Sequence, residues 1–336
     1  MKRVSDQPDR DASIGKKVVV SRTDRLGDVV LSLPVFASLK KCLPQTETIA
    51  LVRKYTSEVA LSSPYVDRAI VYEPSESVFS TARKLRKLKA DVILILFPRF
   101  KVAAAGILAG IPVRVGTAYR WYSFLFNRRI HEHRKDSTKS EAAYNLALLA
   151  AIGCQRRSLD ITLNVDEEAG AHVDSFINKN CLSKFVIVHP GSGGSAVDWG
   201  SDKFREITKQ ITDLPGLNIV VTGTASERSL CRDVCEGIGN AINAAGQFTM
   251  LEFMALISRA ELFISNSTGP LHLAAGVGTS LIGIYPNQKP MTPTRWAPLT
   301  DRKILLTPKD GSNNLSLVSV DDVMEAVHKL LTKETK

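Results

Sequence analysis
Short apolar, β-branched runs recur along the chain, and each is followed by a stretch whose apolar positions fall at helical spacing. Lys17–Ser21 (KVVVS) reads as a buried strand, and Asp28–Leu43 as a helix that Pro34 should kink or confine to one side. Strand-like Thr48–Val52, Ala69–Tyr72, Asp91–Phe97 and Arg114–Gly116 then alternate with helical Val59–Leu61, Ser77–Lys89, Lys101–Ala109 and Ser140–Ile152. The alternation restarts after a polar stretch around Asp160–Lys184. Helices are predicted at Asp166–Asn178, Lys203–Thr212, Glu227–Ile238, Met250–Ser258, Gly269–Val277 and Val320–Thr332. Strands are predicted at Phe185–His189, Asn218–Thr222, Ala241–Asn243, Leu262–Ser265 and Ser280–Ile284. Strands alternating with helices imply parallel sheets covered on both faces. The expectation is an α/β chain of two Rossmann-like domains facing a central cleft. A disordered head would occupy residues 1–15, with domains at 16–165 and 166–336.

The length of 336 residues agrees with two domains, and 44% hydrophobic with 23% charged residues describes an ordinary globular chain. Charge divides the chain unevenly. Residues 1–160 carry 28 basic and 15 acidic side chains, net +13, whereas residues 161–336 carry 16 and 19, net −3. The first half is therefore the better host for an anionic partner. Cys42, Cys154, Cys181, Cys231 and Cys235 are odd in number and contain no C-x-x-C pair, so neither a disulfide framework nor a zinc site is expected, and a reducing compartment fits. The polar segment Met1–Gly15 lacks the apolar core of a signal peptide. Val102–Val113 is broken by Gly106, Gly110 and Pro112 and falls short of the ~20 residues of a membrane span. A cytoplasmic protein is expected, touching a membrane surface rather than crossing it.

Three strand ends carry the candidate chemistry, because ligands of parallel sheets sit beyond the carboxyl ends of strands, where helix N-termini offer free N–H groups. The first is Ser21-Arg22-Thr23-Asp24-Arg25-Leu26-Gly27-Asp28. Asp28 reads either as a helix N-cap or as a carboxylate placed to take a proton from a hydroxyl nucleophile. The second is His189-Pro190-Gly191-Ser192-Gly193-Gly194-Ser195-Ala196, which fits G-x-G-x-x-G/A literally. No acidic residue ends the next strand to hold an adenosine ribose, so a dehydrogenase is rejected and a phosphate-cradling or plain turn remains. The third is Ser265-Asn266-Ser267-Thr268-Gly269-Pro270-Leu271-His272, with Pro270 where a helix's first turn tolerates it. His272 reads as a core residue or as a phosphate or sugar contact. Two anion-shaped loops in one domain together fit a diphosphate. P-loop and G-x-S-x-G motifs are missing, the only D-x-D lies in the head at Asp9–Asp11, and His131-x-His133 sits among solvated charges, so no metal site is expected.

Taken in order, these motifs resemble glycosyltransferase family 9, the lipopolysaccharide heptosyltransferases, from roughly Lys17 to Leu330. The likeness is carried by Arg25–Pro34 (RLGDVVLSLP), His189–Gly194, Ser267–Ala275, Arg295-Trp296 and Ala109–Gly116. It implies a GT-B fold whose C-terminal helix often crosses back to the first domain, and inverting transfer from a nucleoside-diphosphate sugar, typically ADP-heptose, without an obligatory metal or cofactor. By motif match Asp28 is the catalytic base, and Gly191, Ser192, Gly193, Gly194, Ser195, Glu227, Ser267, Thr268, Gly269 and His272 hold the donor. Arg22, Arg25, Arg99, Lys101 and Arg120, together with Arg128 and Arg129, become candidates for an anionic lipid-linked glycan acceptor. Val197 and Ser267 stand where the family often has Lys and Asp, which changes the charge pattern around the donor. A sugar-nucleotide epimerase of similar architecture is the nearest alternative reading. A non-catalytic polyanion binder is more remote, since no nucleic-acid recognition motif accompanies the basic residues.

Overall fold
A computed structural model describes residues 16–194 and 196–333; the expected disordered head and Ser195 lie outside the described residues. The strands are β1 (Lys17–Ser21), β2 (Glu47–Val52), β3 (Arg68–Val71), β4 (Val92–Ile95), β5 (Val113–Thr117), β6 (Arg128–Ile130), β7 (Phe185–His189), β8 (Asn218–Val221), β9 (Ala241–Asn243), β10 (Leu262–Asn266), β11 (Leu281–Ile284) and β12 (Lys303–Leu306). The helices are α1 (Leu26–Val30), α2 (Leu33–Cys42), α3 (Lys54–Leu61), α4 (Val78–Leu88), α5 (Phe100–Leu108), α6 (Glu141–Ala147), α7 (Glu167–Lys179), α8 (Ser201–Thr212), α9 (Arg228–Cys235), α10 (Met250–Arg259), α11 (Gly269–Gly276), α12 (Pro293–Trp296) and α13 (Val320–Lys333).

Two six-stranded sheets result, ordered β3-β2-β1-β4-β5-β6 and β12-β11-β10-β7-β8-β9, with every pairing parallel. Both have the strand order of a doubly wound nucleotide-binding sheet, reversing between β1 and β4 and again between β7 and β10. Apart from Lys17 at the start of β1, the central strands β1, β4, β7 and β10 are buried, which is why they are written as largely continuous apolar runs rather than alternating ones. One apolar core runs without a break from the first sheet to the second, through Leu26 and Val59 on one side and Met254 and Leu271 on the other.

Several expectations are corrected. Of the two expectations for Pro34, the kink is corrected and the confinement holds: the chain breaks into α1 and α2, and Pro34 stands in the first turn of α2, with the regular helix after it and no hydrogen bond lost. The C-terminal helix α13 packs on α8, β10, β11 and β12 and so stays with the second sheet. Cys42 and Cys154, expected to be unpaired, form a disulfide. Packing of α2 on α6 brings the end of α2 beside the turn after α6, across 112 residues of sequence, a proximity that spacing alone does not reveal. The composition argument for a reducing compartment loses its footing with that pair.

Candidate active site
The carboxyl ends of β1, β7 and β10 open onto one cavity of about 750 Å³, a size that suits a small-molecule ligand. Asp28 and Arg25 line it from the first half, and Gly191, Ser192, Gly193, Glu227, Ser267, Thr268, Gly269 and His272 from the second. Gly194 is exposed and stands outside this lining.

On the first side, β1 ends at Ser21 and delivers Arg22 into the interior rather than toward the cavity. Its guanidinium bonds Asp24 at 2.8 Å, Glu141 at 2.8 Å and Asn145 at 3.0 Å, and it closes an ion pair on Asp28 Oδ1. The expectation that Arg22 faces an acceptor is therefore corrected: its donors are spent inside the protein. Glu141, fully buried, also accepts from Arg134 at 2.5 Å and from two nitrogens of Arg295 at 3.2 and 3.0 Å. Three guanidinium groups thus face three carboxylates. Burial alone would raise the Glu141 carboxyl, but the three arginines hold it below its ordinary range. Burial pushes Asp24 up to about 7 despite Arg22, and the charge of Asp28 adds to the rise. Arg22 engages Asp28 through Oδ1.

On the second side, Glu227 organises the glycine loop. It accepts from the Gly193 N–H at 3.0 Å, and from the Thr224 N–H and hydroxyl at 2.8 Å each. A Cβ at Gly191 would lie 2.2 Å from Glu227 Oε1, so only glycine lets the carboxylate cross beneath the loop, while Gly193 turns at φ +53°. Burial works to raise the Glu227 carboxyl, and these hydrogen bonds overcome it and hold the group ionised. Three bonds leave one of a carboxylate's roughly four acceptor positions open. Asn266, at the end of β10, ties the loops together, donating to Pro190 O at 2.9 Å and accepting from the Trp199 N–H at 3.0 Å. α11 then begins with Thr268 as N-cap, and its start, Thr268 to Pro270 with His272, lines the cavity. His272 is buried with Nδ1 unpartnered, and burial pushes its pKa down to about 4, so the ring is neutral at neutral pH.

The two sides meet at Gly27 and Gly269. A Cβ on Gly27 would come within 2.7 Å of the His272 ring, and one on Gly269 within 3.0 Å of Leu26 Cβ. The other expected acceptor residues lie farther out. Arg99 donates to the Thr23 hydroxyl at 2.9 Å, Lys101 to Pro74 O at 3.0 Å, and Arg120, with Arg129, is exposed. Arg128 donates to Ala151 O at 2.5 Å. The rings of His131 and His133 flank Tyr119. Sequence reading missed Glu141, Asn145, Asn266, Tyr55 and the Phe248, Met250 and Phe253 wall of the cavity. Only Asn266 carries a local signal, as a polar residue that with Ser265 closes an apolar strand.

Residues 78–320 match the family model for glycosyltransferase family 9 (heptosyltransferase). A Haemophilus influenzae protein named provisionally as a glycosyltransferase is 29% identical over 332 residues, covering 93% of this chain and 96% of its own. The lipopolysaccharide core heptosyltransferase OpsX of the same organism is 26% identical, covering 82% of this chain and 80% of its own. Among solved structures, the Escherichia coli ADP-heptose lipopolysaccharide heptosyltransferase II superimposes with a TM-score of 0.81 at 21% identity, over 95% of this chain and all of that one. That likeness makes the fold GT-B.

Proposed function
The chain belongs to glycosyltransferase family 9, the heptosyltransferases, and from that premise we propose that it transfers a heptose or related sugar from ADP-heptose to a lipopolysaccharide-type, lipid-linked glycan. The observation that carries this reading is the convergence of Asp28 and the Gly191 and Ser267 loops on one cavity. Residues 16–165 form the acceptor side and residues 166–336 the donor side. Asp28 takes the proton of the acceptor hydroxyl as that oxygen attacks the anomeric carbon from the face opposite the leaving group, so configuration inverts. The bond to the nucleoside diphosphate breaks in the same step. Its growing negative charge is met by N–H groups of the Gly191 loop and of the first turn of α11, stabilisation that strengthens as the bond lengthens. Glu227 has an acceptor position left for a ribose hydroxyl. Backbone N–H groups and neutral hydroxyls serve where the family often places Lys and Asp, at Val197 and Ser267. Arg25 faces the acceptor in the cavity, and the +13 surplus of the first half favours an anionic acceptor beside a membrane surface.

Asp28→Asn keeps the shape of the side chain and removes the base. Transfer should fall by about 10²–10⁴, while the affinity for ADP, measured by calorimetry, stays within about twofold. Turnover near the parental rate would overturn the assignment. Donor choice is read by thermal shift: an ADP-sugar should raise the melting temperature where UDP- and GDP-sugars do not.

A further inference from the structure
An aromatic cluster stands at the edge of the first sheet on the same side as the active site. α4 and α5 both follow parallel strands, so their first turns lie at the carboxyl edge, and the loop after β5 returns there. Phe79 in the first turn of α4 and Trp121 in that loop are each 74% exposed, and Phe124 is 65% exposed. Phe100, opening α5, stacks on Trp121 with ring centroids 5.1 Å apart and meets Tyr122 edge-on at 5.7 Å. Lys101 bonds Pro74 O and reaches Glu76 O, which fixes the start of α5 against the entry to α4.

Large exposed aromatic rings in one place mark an interaction surface. The surrounding charge says which kind. Residues 73–135, which carry all four rings, hold thirteen basic side chains and four acidic, so an acidic protein face or an anionic lipid surface fits and a basic one does not. Aromatic rings interleaved with Lys and Arg suit the boundary of a bilayer, where rings sit below the headgroups and cations meet lipid phosphate. The cluster is continuous with the site: Phe100 follows Arg99, Arg99 bonds Thr23, and Thr23 is two residues from Arg25 in the cavity wall. We propose that Phe79, Phe100, Trp121 and Phe124, with Lys101 and Arg120 around them, form the surface on which the protein docks to an anionic bilayer. This rests on the lipid-linked acceptor of the proposed function, and it places the membrane where such an acceptor's sugars would enter the cleft.

The test is co-flotation of the full chain with vesicles of phosphatidylcholine containing about a third phosphatidylglycerol. Parent protein should float with these vesicles, dissociate at high salt and ignore pure phosphatidylcholine. The double variant Trp121→Ser, Phe124→Ser removes two exposed rings without touching the core, and its partitioning should drop at least about tenfold while its melting temperature and ADP affinity match the parent. In the parent, Trp121 fluorescence should be quenched by brominated lipid, and Trp121→Phe should remove most of that quenching. Equal flotation of parent and double variant would overturn the proposal. So would a parent that fails to float, or one that is a dimer which the double variant splits while vesicle binding is unchanged. None of these measurements uses sugar transfer, so failure of the transferase reading and failure of the docking surface are told apart.

Discussion

His189 ends β7 and His272 lies in the first turn of α11, and burial pushes both imidazoles down to about 4. His189 at least has a partner, with Nδ1 2.9 Å from the Thr222 hydroxyl, whereas Nδ1 of His272 has none. Both rings resist the proton in the folded state and accept it near 6.5 in the unfolded chain. Between those values the unfolded state binds more protons, so stability rises with pH across the window and is lost as pH falls from about 6.5 toward 4. Each ring withdraws up to ~3 kcal/mol at the low end. His272→Asn should therefore flatten the fall in urea-denaturation stability between pH 7 and pH 4.5; an unchanged profile would refute the burial argument. At Asp28 the decisive neighbour is Arg22, whose ion pair holds the carboxylate through Oδ1.

The elements inherit such constraints at their ends. Asn266 closes β10 and bonds Pro190 O and the Trp199 N–H, so one amide sets the spacing of the Gly191 and Ser267 loops. Asn266→Ala leaves two buried backbone groups unpaired. It should cost about 1–3 kcal/mol in stability and weaken ADP binding, read by denaturation and calorimetry, with more lost than a surface Asn→Ala control. Most of the framework was legible in the sequence because parallel strands buried on both faces need apolar runs: β1, β7 and β9 match their predicted residues one for one. The strands that escaped, β6 and β12, are the outermost of their sheets. Pairing on one side only lets Arg128 and Arg129 sit in β6, and β12 is four half-buried residues. The loops of the site were visible because glycine and hydroxyl residues crowd after apolar strands. Glu141 was not. It follows the N-cap Ser140, where any helix favours an acid, and nothing local tells that it reaches Arg22, 119 residues away.

At the scale of the molecule, Glu141 joins the halves. Arg295, beside the cavity residue Trp296, crosses to it from the second half, and Arg22 connects it to Asp28. Removing a buried acid from among three guanidinium groups leaves uncompensated charge. Glu141→Leu should destabilise the protein by about 3–5 kcal/mol, and Arg295→Ala by less, because Glu141 keeps two partners. A loss under about 0.5 kcal/mol for Glu141→Leu would show that the cluster contributes little. The unequal charge of the halves acts at this scale too, since the half with the surplus is also the one carrying the exposed aromatic rings.

The contact at the base of the cleft has a consequence for how this chain can change. A methyl group at Gly27 would meet the His272 ring at 2.7 Å, and one at Gly269 would press on Leu26 Cβ at 3.0 Å, so each calls for its neighbour to shift. A substitution at either glycine calls for an adjustment about 245 residues away, in the other half of the chain. The two halves are therefore poor modules for exchange. A chimera joining the first half of this chain to a relative's second half will be tolerated only where the incoming helix brings a glycine and a side chain of matching bulk to those same points.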